Sequence, residues 1–194
     1  MILKILKGIS PETICSLDAS TNSLGFAIFT NKKLVCNGKI KFEGNTIYKK
    51  VGDAYAKTRA LFDRYAIDGV VIEHTVFINS PKTAADLALV QGGILAALWE
   101  SGVSEIGSVS PITWQSYIGN KKPSKEDRIA LKAQYPDKSD SWLKSHERNL
   151  RKEKTIRFVN INYDREISDN DVADAVAIGH WALENWNKAM RVEE

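Results

Sequence analysis

Four acidic residues carry the chemistry this sequence offers. Asp171 and Asp174, in the run Asp171-Val-Ala-Asp174-Ala-Val-Ala-Ile, fall on one side of a helix with Ala175, Ile178 and Ala182, because a helix advances about 100° per residue. Carboxylates and core therefore share a face. A carboxylate on a buried face must be paired, neutralised or bound to a metal ion, and the nearest basic side chains along the chain are Arg165, ahead of this helix, and Lys188, near its end. Asp18 closes the apolar run Thr13–Leu17. Glu73 closes Val70-Val-Ile, a run short and apolar enough for a central strand covered on both faces, so it lies where open α/β sheets place their sites.

Each acid also has a purely structural explanation. Ser168-Asp169-Asn170-Asp171 fits a capping box in outline, with Ser168 as the cap and Asp171 reaching back to it at the positive end of the helix dipole. Asp18 can form a turn through its own side chain, and Glu73 can be an accident of a strand end. Asp174 lies a turn further into the helix, between Ala173 and Ala175, where capping does not account for it and only a chance acid on a helix shoulder remains.

The elements that must position these acids follow from the pattern of apolar residues. Thr13–Leu17, the turn-rich Ala19-Ser-Thr-Asn-Ser23, Leu24–Phe29, Asn31-Lys-Lys and Leu34–Phe42 read as an antiparallel meander of three strands. Residues Val51, Ala54, Tyr55, Thr58, Leu61, Phe62 and Tyr65 recur at helical spacing, and Asp68-Gly69 breaks into the Val70–Glu73 strand. Ser80-Pro81 starts a second helix whose mid-helix Gly92-Gly93 predicts close approach of another backbone, from the sheet or from a second subunit. Glu105–Val109 is a fifth strand, Pro111 opens a short helix, and Lys125–Ala133 and Ser139–Arg151 are polar helices divided by Tyr135-Pro136-Asp137.

Composition bounds the rest. At 194 residues the chain is long enough for one domain to bury about 70% of its unfolded surface without staples. Cys15 and Cys36 sit in strand-like runs with no metal-ligand spacing and read as reduced core residues. The N-terminal run is broken by Lys4 and Lys7, unlike a signal peptide, and the longest charge-free apolar stretch, Leu87–Trp99, is too short to span a bilayer. A soluble cytoplasmic protein is expected. Net charge is +3, but residues 120–157 hold 12 Lys and Arg against 6 Asp and Glu. This local basicity is either a solvated helical surface or a phosphate-holding segment beside an acidic site.

Taken together, Asp18-Ala-Ser-Thr-Asn-Ser-Leu-Gly25-Phe, Val71-Ile-Glu73-His-Thr-Val-Phe77, the Ala84–Gly93 helix, Val109-Ser-Pro-Ile-Thr-Trp and Asp171-Val-Ala-Asp174-Ala resemble the RuvC-type Holliday junction resolvases over most of the chain and in the same order. The resemblance implies an α/β, ribonuclease H-like fold: a five-stranded mixed sheet flanked by helices. It also implies a homodimer acting on four-way DNA junctions, with Asp18, Glu73, Asp171 and Asp174 as catalytic carboxylates and cuts that leave a 5′ phosphate and a 3′ hydroxyl. Phe77 is similar to the family's junction-entering aromatic, one residue further from Glu73. Lys154 resembles a DNA-contacting lysine at the start of a late helix; Lys121, Lys122 and Arg157 are further candidate DNA contacts. Two features depart from the family: Ala19-Ser20 replaces the usual proline or glycine after the first acid, and Trp114 stands where a basic residue is common. The segment from about 120 to 151 reads as a basic helical insertion within a single domain spanning 1–194.

Four converging carboxylates suit two Mg²⁺ or Mn²⁺ ions, about 4 Å apart, acting on a phosphodiester. His74 and His180 point away from the acids by the strand and helix periods. The acids alone equally admit a ribonuclease H-like nuclease for flaps, forks or RNA–DNA hybrids, or a non-catalytic DNA-binding protein. An actin-like sugar kinase is disfavoured, since there is no second domain and no Gly-rich phosphate loop.

Overall fold

Side-chain alternation organises the sheet. In β1 (Thr13–Ala19) Cys15 and Leu17 belong to one hydrophobic core and Ile14 to the other, on the opposite face of the sheet. The same alternation holds in β2 (Ser23–Thr30), where Leu24, Phe26 and Ile28 face one core and Ala27 and Phe29 the other, and in β4 (Gly69–Glu73), where Val70 and Ile72 are opposed to Val71. The computed structural model describes residues 11–74 and 80–190, and in it these strands join β3 (Lys33–Lys41) and β5 (Glu105–Val109) in the order β3-β2-β1-β4-β5. The β1–β2 and β2–β3 pairs are antiparallel, β1–β4 and β4–β5 parallel. Asn31 and Lys32, with φ of 49° and 63°, supply the left-handed turn that joins β2 to β3 and suits the twist of a hairpin.

Two helices, α1 (Ile47–Phe62) and α2 (Pro81–Glu100), pack on each other and cover the first face through Ala54, Phe62, Val90, Ile94 and Leu98. The second face is covered by α6 (Asn170–Ala189), whose Ala173, Val176, Ala177 and Trp181 are buried against β1 and β2. Onto α6 pack α3 (Pro111–Tyr117) and α5 (Asp140–Tyr163). The remaining helix, α4 (Lys125–Gln134), buries none of its residues. Helix starts follow the local chemistry: Thr46, Ser80, Ser110, Ser124 and Ser139 each accept a backbone N–H of the first turn, and Pro81 and Pro111 occupy positions where a missing N–H costs nothing.

The meander, the two long helices, the β4 and β5 strands and the short helix after Pro111 lie where the sequence places them, and the sheet is the expected five-stranded mixed one. Three expectations change. The cap of α6 is Asp169, not Ser168: its carboxylate accepts the N–H groups of Asp171 and Val172, so Asp171 is freed from a capping box. The polar helix expected to stop at Arg151 runs unbroken to Tyr163, because residues 138–163 contain neither glycine nor proline. Lys154 therefore lies in mid-helix rather than at a helix start. Finally, the backbone that comes close to the glycine pair is that of α1: a Cβ on Gly93 would stand 3.1 Å from the Val51 carbonyl oxygen, while Gly92 faces open space.

Candidate active site

The parallel register between β1 and β4 pairs Leu17 with Ile72, so the next residues, Asp18 and Glu73, are neighbours at the carboxyl ends of adjacent strands. Both have the parity of Ile14 and Val71, which places them on the α6 face. The first turns of α6 can reach them because the residue paired with Asp18 on β2 is Gly25; a Cβ there would overlap the Asp171 carbonyl. Further along, the buried Ser16 hydroxyl donates to the Ala175 carbonyl at 2.6 Å and fixes α6 on the sheet. Asp171 and Asp174 are thereby carried to the same strand ends as Asp18 and Glu73.

The electrostatics record the crowding. Burial, then the charges of Glu73, Asp174 and Asp171, push the Asp18 carboxyl well above the ordinary carboxylate range, and a hydrogen bond to Glu73 adds to the rise. Burial also raises Glu73, against the hydrogen bonds it accepts from Trp114 and Asp18. Asp174 is pushed up to about 7 by burial and by the charges of Glu73 and Asp171, with Lys152 and Arg151 of α5 pulling the other way. Asp171 has a different environment. Its Oδ2 accepts the Lys39 ammonium at 2.7 Å and the Ser23 hydroxyl at 3.0 Å. Lys39 also reaches Asp169 at 3.0 Å, and its own proton affinity is raised, first by the bond to Asp171.

Several of these partners were not legible in the sequence. Lys39 lies 130 residues before Asp169, and only the β3–β2 register, which pairs it with Gly25, brings it to the acids. The expected basic neighbours serve elsewhere: Arg165 donates to the Leu34 carbonyl and Lys188 to Asn185. Trp114, 1% exposed, donates its indole N–H to Glu73 Oε1 at 2.9 Å. The spacing of Trp114 from Ser110-Pro111 carries no hint of that bond. The buried Asn120 donates to the Arg151 carbonyl and to Thr155, which anchors the start of the basic segment to α5 beside the site.

Lys121 and Lys122 are exposed after α3, and Lys154 and Arg157 are exposed on α5. The α5 cations whose charge reaches Asp174 are instead Lys152 and Arg151. Phe77 lies outside the described residues. His74 is exposed and His180 packs among Tyr117, Phe158 and Tyr163, with Tyr163 hydrogen-bonded to its Nδ1 at 2.7 Å, so neither histidine joins the acids. A pocket of about 410 Å³ lies at the opposite end of β1, lined by Pro11, Ile14 and Trp186 among others, remote from the carboxylates.

Among the described residues no three acidic, histidine or cysteine side chains are drawn together as ligands of one ion. In this arrangement the Lys39 ammonium is paired with Asp171, and burial with the neighbouring charges favours the neutral form of Asp18. The donor set nevertheless fits a hard divalent cation: every group is a carboxylate, and the mutual repulsion that raises Asp18 and Asp174 is the repulsion such a cation relieves.

No family model matches the sequence, and no curated protein matches it. Solved structures do. Thermus thermophilus RuvC in complex with a Holliday junction substrate superposes with a TM-score of 0.66 at 14% identity, covering 92% of this chain and 97% of that one. The fold is that of the RuvC resolvases. A second Thermus thermophilus RuvC structure gives a TM-score of 0.62 at 15% identity over the same shares. The yeast mitochondrial Holliday junction resolvase Ydc2 gives 0.53 at 12%, covering 94% of this chain and 82% of that one. With identities this low the likeness to RuvC speaks for the architecture, and the site must be argued from its own residues.

Proposed function

We propose that the protein is a metal-dependent endonuclease that resolves four-way DNA junctions by paired, symmetric nicks. The observation that carries this reading is the convergence of Asp18, Glu73, Asp171 and Asp174 at one end of the sheet in a RuvC fold. Asp18, Glu73, Asp171 and Asp174 would hold Mg²⁺ or Mn²⁺, as all-oxygen donors of the kind these ions prefer. Held there, such ions would lower the pKa of water to give a nucleophile at neutral pH and would offset the charge that develops on the phosphodiester.

The chain's own groups have separate tasks. The Trp114 N–H holds one Glu73 oxygen and so fixes the direction of the other. Arg151 and Lys152 put positive charge beside Asp174, where a scissile phosphate would approach, and the basic segment extends that field. Hydrolysis would form a bond from the water oxygen to phosphorus and break the P–O3′ bond, leaving a 5′ phosphate on the strand downstream of the cut and a protonated 3′ hydroxyl on the strand upstream of it. Symmetric nicks need two sites related by a two-fold axis, hence a homodimer. The outer side of α2 suits that contact: Leu89 and Trp99 are 45% and 62% exposed, on a line with the exposed Ala85, Gly92 and Ala96.

The test is nicking of a labelled four-way junction with Mg²⁺ beside linear duplex, flap and RNA–DNA hybrid. Paired cuts confined to the junction are expected. Equal or faster cutting of flaps or hybrids would make the protein another ribonuclease H-like nuclease, and binding without cutting would make it a DNA-binding protein.

A further inference from the structure

Asp171 has a cation in direct contact, Lys39 at 2.7 Å, whereas among the described residues Asp18, Glu73 and Asp174 make no ion pair and Asp174 feels Arg151 and Lys152 only through their charge. Across the sheet, Lys39 on β3, Gly25 on β2 and Asp18 on β1 stand in one row. The glycine leaves the first turn of α6 room to sit on that row, and Lys39 closes on the turn from the far side, 2.7 Å from Asp171 and 3.0 Å from Asp169. The Asp171 Oδ2 accepts both the ammonium and the Ser23 hydroxyl, so its two lone pairs are taken. A metal ion cannot use that oxygen without displacing a donor, and an ion on the other oxygen of the same carboxylate would stand close to the ammonium and be repelled by it. Lys39 is a quarter exposed, so its head is within reach of an arriving phosphate.

We propose that Lys39 is a built-in counter-cation that reserves Asp171: the protein alone takes one divalent ion on Asp18, Glu73 and Asp174, and a second ion sharing Asp171 binds firmly only when phosphate draws the ammonium away. This rests on the metal-site reading above and refines it, making the pair of ions assemble in order. Lys39 acts through Asp171 and is a positioning residue. Its arrangement also ties β3 to α6, a merely structural task that would affect stability but not the number of ions bound.

The experiment is calorimetric titration of Mn²⁺ into the full chain without DNA, for the wild type, Lys39→Met and Lys39→Gln. The wild type is expected to bind one ion per chain with a weak second. In both variants the second dissociation constant should fall by about tenfold or more, as expected for removing a cation that competes for the same carboxylate. Lys39→Gln keeps a donor to Asp171 and so the tie between β3 and α6; it is the variant to read if Lys39→Met does not fold. Identical stoichiometry and affinities in wild type and variants would overturn the role of Lys39 while leaving the metal site standing. No Mn²⁺ binding to any of the three would overturn the metal site and this inference with it.

Discussion

The acid end of the sheet and the α4–α5 hairpin are built on opposite principles. The acids stand on buried strands and on the one helix that packs across β1 and β2, so each position is imposed by the core. The hairpin buries nothing on α4 and is held by surface pairs: Arg128 to Glu147, Lys132 to Asp140, and the rings of Tyr135, Trp142 and His146 at its tip, with Trp142 and His146 stacked 4.7 Å apart. The difference teaches where precision is needed. A site that places carboxylates against one another must be rigid, because the repulsion would otherwise spread them; a basic hairpin, if phosphates are its partners as proposed, would tolerate loose anchoring, since that attraction is long-ranged and has little directional demand.

The contrast can be broken first at Asp174. Asp174→Asn is expected to reduce junction nicking by about a thousandfold or more, the scale of losing a charge-stabilising group at a reacting centre. Its melting temperature without metal should rise, since an amide escapes the repulsion from Glu73 and Asp171. Parallel nicking and melting measurements check both.

Gly25→Val attacks the same site through packing. The new side chain would collide with the Asp171 backbone, and denaturant unfolding should show a loss of about 1–3 kcal/mol, with nicking lost as α6 shifts.

The third expectation concerns pH. Asp174 binds its proton up to about 7 in the folded chain, against about 4 when unfolded. Between those values the folded state holds more protons, so stability without divalent ions should fall as pH rises from about 4 to about 7, with Asp18 and Glu73 acting in the same direction. The carboxylates held below their ordinary range, Asp53 and Asp169 among them, act at more acid pH; His180, held below the ordinary imidazole range by burial, opposes the slope in the upper part of the window, and the three crowded acids outweigh that one group. Adding Mn²⁺ should flatten the slope in thermal melts; a stability that climbs with pH would contradict the crowding.

Trp114→Phe keeps the buried ring and removes the N–H that Glu73 accepts. A hydrogen bond to a charged group is worth about 1.5–3 kcal/mol, so nicking should fall about tenfold and need more Mg²⁺. The smallest change is expected in the hairpin. Arg128→Ala removes an exposed pair and should cost at most about 1 kcal/mol in chemical unfolding.

How much of this was legible in the sequence follows the same division. Strand periodicity located Asp18 and Glu73, and helix periodicity put Asp171 and Asp174 on one face, because both periods are imposed by burial. Capping was misread by one residue, since Ser168 and Asp169 offer equivalent oxygens and only the backbone decides between them. Lys39 and Ser23 escaped notice, and Trp114 was marked only as a departure from the family, because their partners are set by strand register and by packing between elements far apart in the chain. The polar helix is read from the sequence as ending at Arg151 because the resemblance starts a late helix at Lys154, whereas no glycine or proline separates the two and α5 runs through.

The most direct test of the carboxylate centre is anomalous diffraction from crystals grown with Mn²⁺. The account requires a peak among Asp18, Glu73 and Asp174, on the α6 side of the β1 and β4 strand ends. Manganese bound only elsewhere, or absent from the centre at saturating concentration, would contradict it.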